Sequence, residues 1–313
     1  MKKGLTLRDA KNSVESTRPL CKESLRDYIR VFFDVEVPDF VLTPGHSTPM
    51  DYIWTAFNLD YHSEGRDSGD SVVWASRGGG KTKAAAIVTT LDCLFKPEIE
   101  IRILSGSSYQ AGRMYEYFQS FIGRNFPERI AQTKTWPVRR TIFKNGAAVE
   151  VLVQSETSVR GPHVHKLRCD EVELFKRRVF EAAQYTTMTS KGYIAAREVI
   201  STMHRPNGLM KTLIDQAGEN HQPVFKWNVW EVLEPCLRTC KECPLFDACL
   251  TKGKQAHGYY KIEDALTQLG RAKERSFNME MLCGEGPKKN GDGASGAGFI
   301  DYIEKYYAGP DVR

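Results

Sequence analysis

No long apolar run occurs anywhere in the 313 residues. A membrane-spanning helix needs about 18 consecutive apolar residues, so a transmembrane chain is not expected. The N-terminus, Met1-Lys2-Lys3-Gly4-Leu5, turns polar at once and lacks the apolar centre of a secretory leader. An excess of one charge is missing too: 44 Lys and Arg stand against 39 Asp and Glu, a net +5. That balance permits contact with a polyanion without demanding it. There is no internal repeat and no collagen-like period, and 41% hydrophobic with 27% charged residues is ordinary for a globular protein. At about 150 residues per domain the length allows about two domains, enough to bury a core without disulfide staples. Membrane, secreted and disordered classes fall away, and a cytoplasmic globular protein is the expectation.

What is present is an alternation of helix and strand patterns. Leu25, Tyr28, Ile29 and Phe32 stripe a helix over Ser24–Phe33. Pro38, Pro44, Gly45 and Pro49 then impose a loop, and a short helix follows over Asp51–Leu59. Ser71–Ser76 is a short β-rich run that leads into Gly78-Gly79-Gly80. Lys81–Phe95 reads as a helix closed by Pro97. Ile99, Ile101 and Ile103 share one face of a strand over Glu98–Leu104, and Tyr109–Ile122 reads as the next helix. Strand, glycine turn, helix, strand, helix is the signature of an α/β fold with a mainly parallel sheet. Asn145-Gly146 between Thr141–Lys144 and Ala147–Val153 predicts a tight hairpin. Further strands are expected over Lys166–Asp170, Arg197–Met203 and Pro223–Val232, with a helix over Val179–Met188. Cys283–Gly298, dense in Gly, Lys, Asp and Ser, has the chemistry of a linker.

The stretch Ala75-Ser76-Arg77-Gly78-Gly79-Gly80-Lys81-Thr82 fits the phosphate-loop pattern G-x-x-x-x-G-K-[ST], with Ala75 in the place of the first glycine. Glycines let backbone N–H groups crowd round phosphate oxygens without Cβ clashes. The helix that follows points its positive end at the same anion. Lys81 is the expected contact to the β- and γ-phosphates and Thr82 the expected Mg²⁺ ligand of a bound ATP. Arg77 adds a charge-assisted contact to the γ-phosphate. A bland alternative is a glycine-rich turn with a chance Gly-Lys-Thr.

Cys169-Asp170-Glu171-Val172 closes a short strand. Asp170 is the candidate metal-side carboxylate and Glu171 the candidate general base, because water needs orienting and partial deprotonation before it attacks phosphorus. A strand buried on both faces should be almost wholly apolar, yet Lys166 and Arg168 interrupt this one. The alternative is a surface turn with a solvated acidic pair.

Together these residues resemble the large terminase subunit of tailed bacteriophages, the motor that packages DNA into a procapsid. The resemblance runs from about residue 71 to Cys283. It rests on Ser76-Arg77-Gly78-Gly79-Gly80-Lys81-Thr82 and on the Asn145-Gly146 hairpin, with Arg160-Gly161 ahead of Asp170-Glu171. Two weaker features are Ser201-Thr202-Met203 at a strand end and the Phe-Asn-Met-Glu-Met-Leu-Cys283 segment before a linker. It implies a P-loop NTPase core of the ASCE or RecA-like kind and a small Cys-rich lid subdomain. The implied division is an N-terminal helical, lid-associated segment over 1–50, the ATPase core over 51–228, the lid over 229–283 and a linker over 284–313. The resemblance makes Arg160 an arginine finger acting on a neighbouring subunit's ATP, in competition with Arg139, Arg140, Arg177 and Arg178. Ser201 and Thr202 become γ-phosphate sensors. It also implies double-stranded DNA, a portal or procapsid and a small terminase subunit as partners. A homo-oligomeric ring, no membrane contact and the host cell cytoplasm complete the picture. The family's usual adenine-contacting Gln has no counterpart in Phe40–Tyr52, where His46, Pro49 and Tyr52 are the stacking candidates. The family's nuclease half would begin about where this chain ends, so no nuclease activity is expected from residues 1–313; Asp301 and Glu304 read as a solvated pair.

Four of the eight cysteines form one run, Cys236-x3-Cys240-x2-Cys243-x5-Cys249. Such clustering in a cytosolic chain points to Zn²⁺ or a [4Fe-4S] cluster with a structural role, free thiols being the alternative. Cys21, Cys93, Cys169 and Cys283 read as small core residues. Sequence-independent DNA contact would fall to Arg139, Arg140, Lys176, Arg177, Arg178 and Lys191. The leading reading is an ATP-driven DNA translocase of the packaging type. A helicase-like translocase on the same core and a non-hydrolysing, nucleotide-gated DNA-binding module remain as alternatives.

Overall fold

The computed structural model describes residues 15–60, 68–106, 108–135, 138–152, 155–160 and 163–284. The expected linker beyond Gly284 and the pair Asp301 and Glu304 lie outside them, as does Gly161. Two helices open the described chain, α1 (Lys22–Phe33) and α2 (Pro49–Asn58). Each starts at a reciprocal cap, Cys21 with Ser24 and Thr48 with Asp51, and α2 has Pro at its first position. Cys21 is therefore an exposed capping residue rather than a core cysteine, whereas Cys93, Cys169 and Cys283 are buried as expected.

Next come β1 (Ser71–Ala75), α3 (Lys81–Phe95), β2 (Glu100–Ser105), α4 (Ser108–Asn125), β3 (Ile130–Lys134), β4 (Arg140–Phe143) and β5 (Ala148–Val151). They are followed by β6 (Lys166–Asp170), α5 (Arg177–Ala183), β7 (Ala196–Ser201), α6 (Leu209–Glu219), β8 (Val224–Trp227), α7 (Ile262–Arg271) and α8 (Glu274–Met281). The eight strands make one sheet in the order β3-β4-β5-β2-β6-β7-β1-β8. It is parallel from β5 to β8, and only β3-β4-β5 run antiparallel, across the Asn145-Gly146 hairpin. Gly146 takes φ 85°, the conformation such a turn demands.

Alternating residues send each strand's side chains to two cores. On one face Val73, Ile101, Ile103, Val149 and Ile200 pack against α1 to α4; on the other Val72, Leu104, Leu167, Cys169 and Val199 pack against α5 and α6. A third cluster joins Trp230, Leu233, Leu245, Ile262, Leu269 and Phe277. Two expected elements end early, for visible reasons. The helix after β6 stops at Ala183 because residues 186–188 leave it to hydrogen-bond Val164. The strand expected to Val232 stops at Trp227 because Asn228 and Glu231 form a capping box over Val229–Val232.

The two basic residues that interrupt β6 are neither exposed nor unpaired. Lys166 and Arg168 are wholly buried. Arg168 meets Asp92 of α3 at 2.7 Å and Glu198 of β7 at 3.0 Å, and donates to Thr89 at 3.0 Å. Lys166 meets Asp92 at 3.1 Å and donates to the Ala56 carbonyl at 2.8 Å. Lys96 joins Asp92 at 3.0 Å and Asp60 at 2.5 Å, and Tyr52 donates to Glu198 at 2.5 Å. Lys96, Lys166 and Arg168 balance Asp60, Asp92 and Glu198. Burial alone would raise the Asp92 pKa, but the three cations outweigh it and hold the carboxyl below its usual range. Burial pulls Lys166 down to about 8. Removing one member of such a network leaves uncompensated buried charge. Asp92→Asn should therefore destabilise the fold by about 3–5 kcal/mol in urea unfolding; a loss under about 1 kcal/mol would mean the network is solvated.

Candidate active site at the phosphate loop

β1 lies between β7 and β8, and β7 separates it from β6. The carboxyl ends of β1, β7 and β6 therefore open on one edge of the sheet, where parallel α/β folds place their ligands. The turn after β1 is built by glycine. Gly78 and Gly80 sit at φ 73° and 72°, and a Cβ there would strike the ring of Tyr260 and the hydroxyl of Tyr259 respectively. The Trp227 indole donates to the Gly79 carbonyl at 2.8 Å and the Tyr259 hydroxyl to that of Gly78 at 3.3 Å. Gly80 caps α3 without a side chain, so the first N–H groups of this 15-residue helix are left for an anion.

Opposite the loop stand the carboxylates at the end of β6. The Thr82 hydroxyl donates to Asp170 Oδ2 at 3.0 Å, and Lys81 Nζ lies 3.0 Å from Glu171 Oε1. Asp170 is 1% exposed. Burial and then the neighbouring Glu171 push its pKa up to about 7, against the pull of Lys81. Glu171 takes φ 53°, a left-handed conformation uncommon for a non-glycine residue and often found at working sites. The Ser201 hydroxyl lies 3.4 Å from Glu171 Oε2. The buried hydroxyls of Ser76 and Thr202 have no protein partner. Hard oxygen ligands at Thr82 and Asp170, beside unpartnered hydroxyls and free helix N–H groups, fit a magnesium-bound phosphate chain.

The cavity at this edge measures about 800 Å³. It is lined by Arg77 to Ala84, Asp170, Glu171, Thr202 and, unforeseen from the sequence, by Val35, Val37, Pro38, Arg113, Tyr117, His204 and Tyr259. Pro49 also lines it, but two other adenine candidates do not. Tyr52 is buried, spent on Glu198 and stacked with Trp227, and His46 is buried against Glu231 at 3.1 Å. Hydropathy hid this, because both side chains look equally fit for stacking or for core packing. Arg77 is largely exposed and pairs with Glu280 of α8 at 3.0 Å; His204 stands between Glu280 and Glu171, 3.8 and 3.9 Å from each. No local motif marks Glu280 or His204; only the tertiary fold brings them in.

Arg160 lies elsewhere, exposed on a second cavity with His163, Arg178, Glu181 and Tyr185. Of the candidate DNA-contacting residues, Arg140, Arg177 and Lys191 are ion-paired to Glu150, Glu181 and Glu98. Cys236, Cys240, Cys243 and Cys249 are free thiols around one small cavity, and among the described residues no group of three or more His, Cys, Asp or Glu stands in a metal-ligating arrangement. No helix of the described residues is long and apolar enough to cross a membrane.

No curated protein matches the sequence. Among solved structures, the large terminase of bacteriophage HK97 superposes with a TM-score of 0.58 at 15% identity, over 83% of this chain and 54% of that one. The large terminase of a thermophilic bacteriophage in complex with ATP-gamma-S gives 0.51 at 10%, over 74% and 51%. The complex of that same terminase with ADP gives 0.50 at 11%, over 74% and 52%. The chain thus spans about half the length of these proteins, and at such identities the likeness speaks for the P-loop α/β fold. The sequence pattern described as "Terminase large subunit, T4likevirus-type, N-terminal" matches residues 72–265, which is more than half of the chain and holds both the phosphate loop and the carboxylate pair. The chain belongs to that family of terminase large subunits.

Proposed function

We propose that this chain is the ATP-hydrolysing motor part of a DNA-packaging terminase, coupling hydrolysis to movement of double-stranded DNA into a procapsid. The observation that carries the reading is the face-to-face placement of Lys81 and Thr82 against Glu171 and Asp170, each pair at 3.0 Å. The thermophilic-phage terminase, solved in complex with ATP-gamma-S and with ADP, supports a nucleotide here.

Thr82 and Asp170 would hold magnesium, which would offset the charge of the phosphates during transfer. Lys81 now pairs with Glu171. A terminal phosphate competes for the same ammonium, so ATP binding draws Lys81 away and frees Glu171 to accept a proton from the attacking water. Ser201 keeps that carboxylate aimed, through the 3.4 Å contact. Arg77 can reach a γ-phosphate only by leaving Glu280, which ties phosphate occupancy to the position of α8. Val35, Val37, Pro38 and Pro49 offer the base an apolar wall. Arg160, outside this cavity, acts as the finger on a neighbouring subunit's ATP in the assembled ring. DNA, portal and small subunit are the partners of that ring.

Glu171→Gln should cut ATP turnover by about 10²–10⁴-fold while leaving binding of a triphosphate analogue intact. Lys81→Ala should abolish both, measured by phosphate release and titration calorimetry with and without DNA. Unchanged turnover in Glu171→Gln would leave a nucleotide-gated binding module instead. Arg160→Ala and Glu171→Gln subunits, each inactive alone, should recover activity when mixed; no recovery at any ratio would remove Arg160 as the finger. Asp170 gives a pH signature in buffer free of nucleotide and divalent ions. Its folded pKa is raised, so the folded state holds its proton longer than the unfolded chain does. Wild-type stability should fall relative to Asp170→Asn as pH rises from about 4 to 7, by roughly 2–4 kcal/mol, and stay level above that. A gap that does not change with pH would show Asp170 to be solvated.

A further inference from the structure

The motor reading leaves the cysteine cluster unexplained. Its four thiols come from three short pieces of backbone. Cys240 opens a single 3-10 turn, Cys240–Glu242, with Cys243 directly after it; Cys249 ends a helical turn, Phe246–Cys249; Cys236 precedes both. Tight turns fix these positions: Cys243 N–H donates to Cys240 O at 3.1 Å, Phe246 N–H to Cys243 O at 3.0 Å, and Cys236 N–H to Gly253 O at 2.8 Å. All four line one cavity of about 20 Å³. Cys243 is buried and the other three are half-buried, so the set is not simply a piece of apolar core. Gly253 N–H donates to Cys249 Sγ at 3.3 Å, the kind of contact that supports a thiolate. Arg238 and Lys254 stand on the same cavity wall.

We propose that Cys236, Cys240, Cys243 and Cys249 bind one zinc ion as a structural four-thiolate site. The spacing supplies a C-x2-C knuckle at Cys240 and Cys243 and two flanking ligands, which makes a closed tetrahedral set. The cavity has the volume of about one small bound species, since a single water needs about 10–15 Å³. Four thiolates close the shell of a single zinc ion, and an iron and sulfide analysis separates that ion from a [4Fe-4S] cluster. The thiols surround the cavity without yet converging on its centre. Ligation at Zn–S distances of about 2.3 Å calls for the sulfurs to converge, and χ1 rotation moves a cysteine's sulfur without moving its backbone. Four thiolates and Zn²⁺ sum to −2, and Arg238 and Lys254 offset that charge.

The site has a mechanical consequence. Glu234 N–H donates to Tyr260 O at 2.9 Å, and Leu233 bridges Tyr260 in parallel. Tyr259 and Tyr260 roof the phosphate loop. Zinc therefore fixes the loop behind the roof and not the catalytic groups themselves.

The test is metal analysis of the full chain purified without chelator. About one zinc per chain is expected, with the four thiols shielded from a disulfide reagent until a mercurial or a strong chelator releases the metal. Cobalt exchanged into the wild-type protein should give the charge-transfer bands of a tetrahedral sulfur site. Cys240→Ser and Cys243→Ser should lower the zinc content to under about a tenth of wild type, whereas Cys21→Ser should not change it. Four thiols that react freely, with added zinc neither retained nor protective, would overturn the proposal. Near-stoichiometric iron and sulfide would overturn the choice of zinc. These readouts do not depend on ATP turnover, so a failed motor reading would leave them standing.

Discussion

The buried ion network around Asp92 is the constraint on which the site depends. Asp92 lies on α3, the helix that begins with Lys81 and Thr82; Arg168 and Lys166 lie on β6, the strand that ends in Asp170; Glu198 lies on β7 between β6 and β1. One set of charge-assisted contacts therefore locks the phosphate-loop helix to the carboxylate strand. Desolvating six charged groups is expensive, and a hydrophobic set of equal volume would often be as stable. What the ions add is direction. Arg168 has a fixed fork of donors, and the positions of Asp92 and Glu198 satisfy it in one register. A shift of β6 by one residue would turn its side chains to the opposite face and carry Asp170 away from Thr82.

On that rigid base the site itself is held by exchangeable contacts. Lys81 pairs with Glu171 and Arg77 with Glu280, and in each pair the basic member is the one the proposed function turns toward a phosphate. Both pairs are reached by solvent far more than the Asp92 network, so breaking them costs much less. Under the proposed function, groups paired with one another at rest would pair with ligand when bound, a switch that leaves the sheet unmoved. His204, within 4 Å of both Glu171 and Glu280, sits where those two exchanges meet.

The segment after β8 belongs to this logic. It builds its own core from Trp230, Leu245, Ile262 and Phe277, and it delivers Tyr259, Tyr260 and Glu280 to the phosphate loop. Its short helices bury few residues each, and the zinc ion proposed for its four cysteines would tie them together.

Much of this was legible in the chain. The glycine loop, α3, the Asn145-Gly146 hairpin and the β6 span follow from local rules, because a positive φ, a two-residue turn or an apolar stripe leaves its mark within a few neighbouring residues. Lys81, Thr82, Asp170 and Glu171 were singled out in the same way, and the fold brings them together. Other features were not legible. The charges of Lys166 and Arg168 argued against a buried strand until Asp92 and Glu198, far along the chain, were seen to neutralise them. Tyr52 and His46 had the right chemistry to meet a base, and only packing showed them turned to Glu198 and Glu231. The helices α6, α7 and α8 went unread beside louder signals from cysteine and glycine. Sequence by itself determined which backbone turns form and which groups can carry phosphate chemistry, since those depend on neighbours a few bonds away. Which of those groups meet was decided by the sheet order, because pairing distant charges in a dry interior requires the whole fold to be in place first.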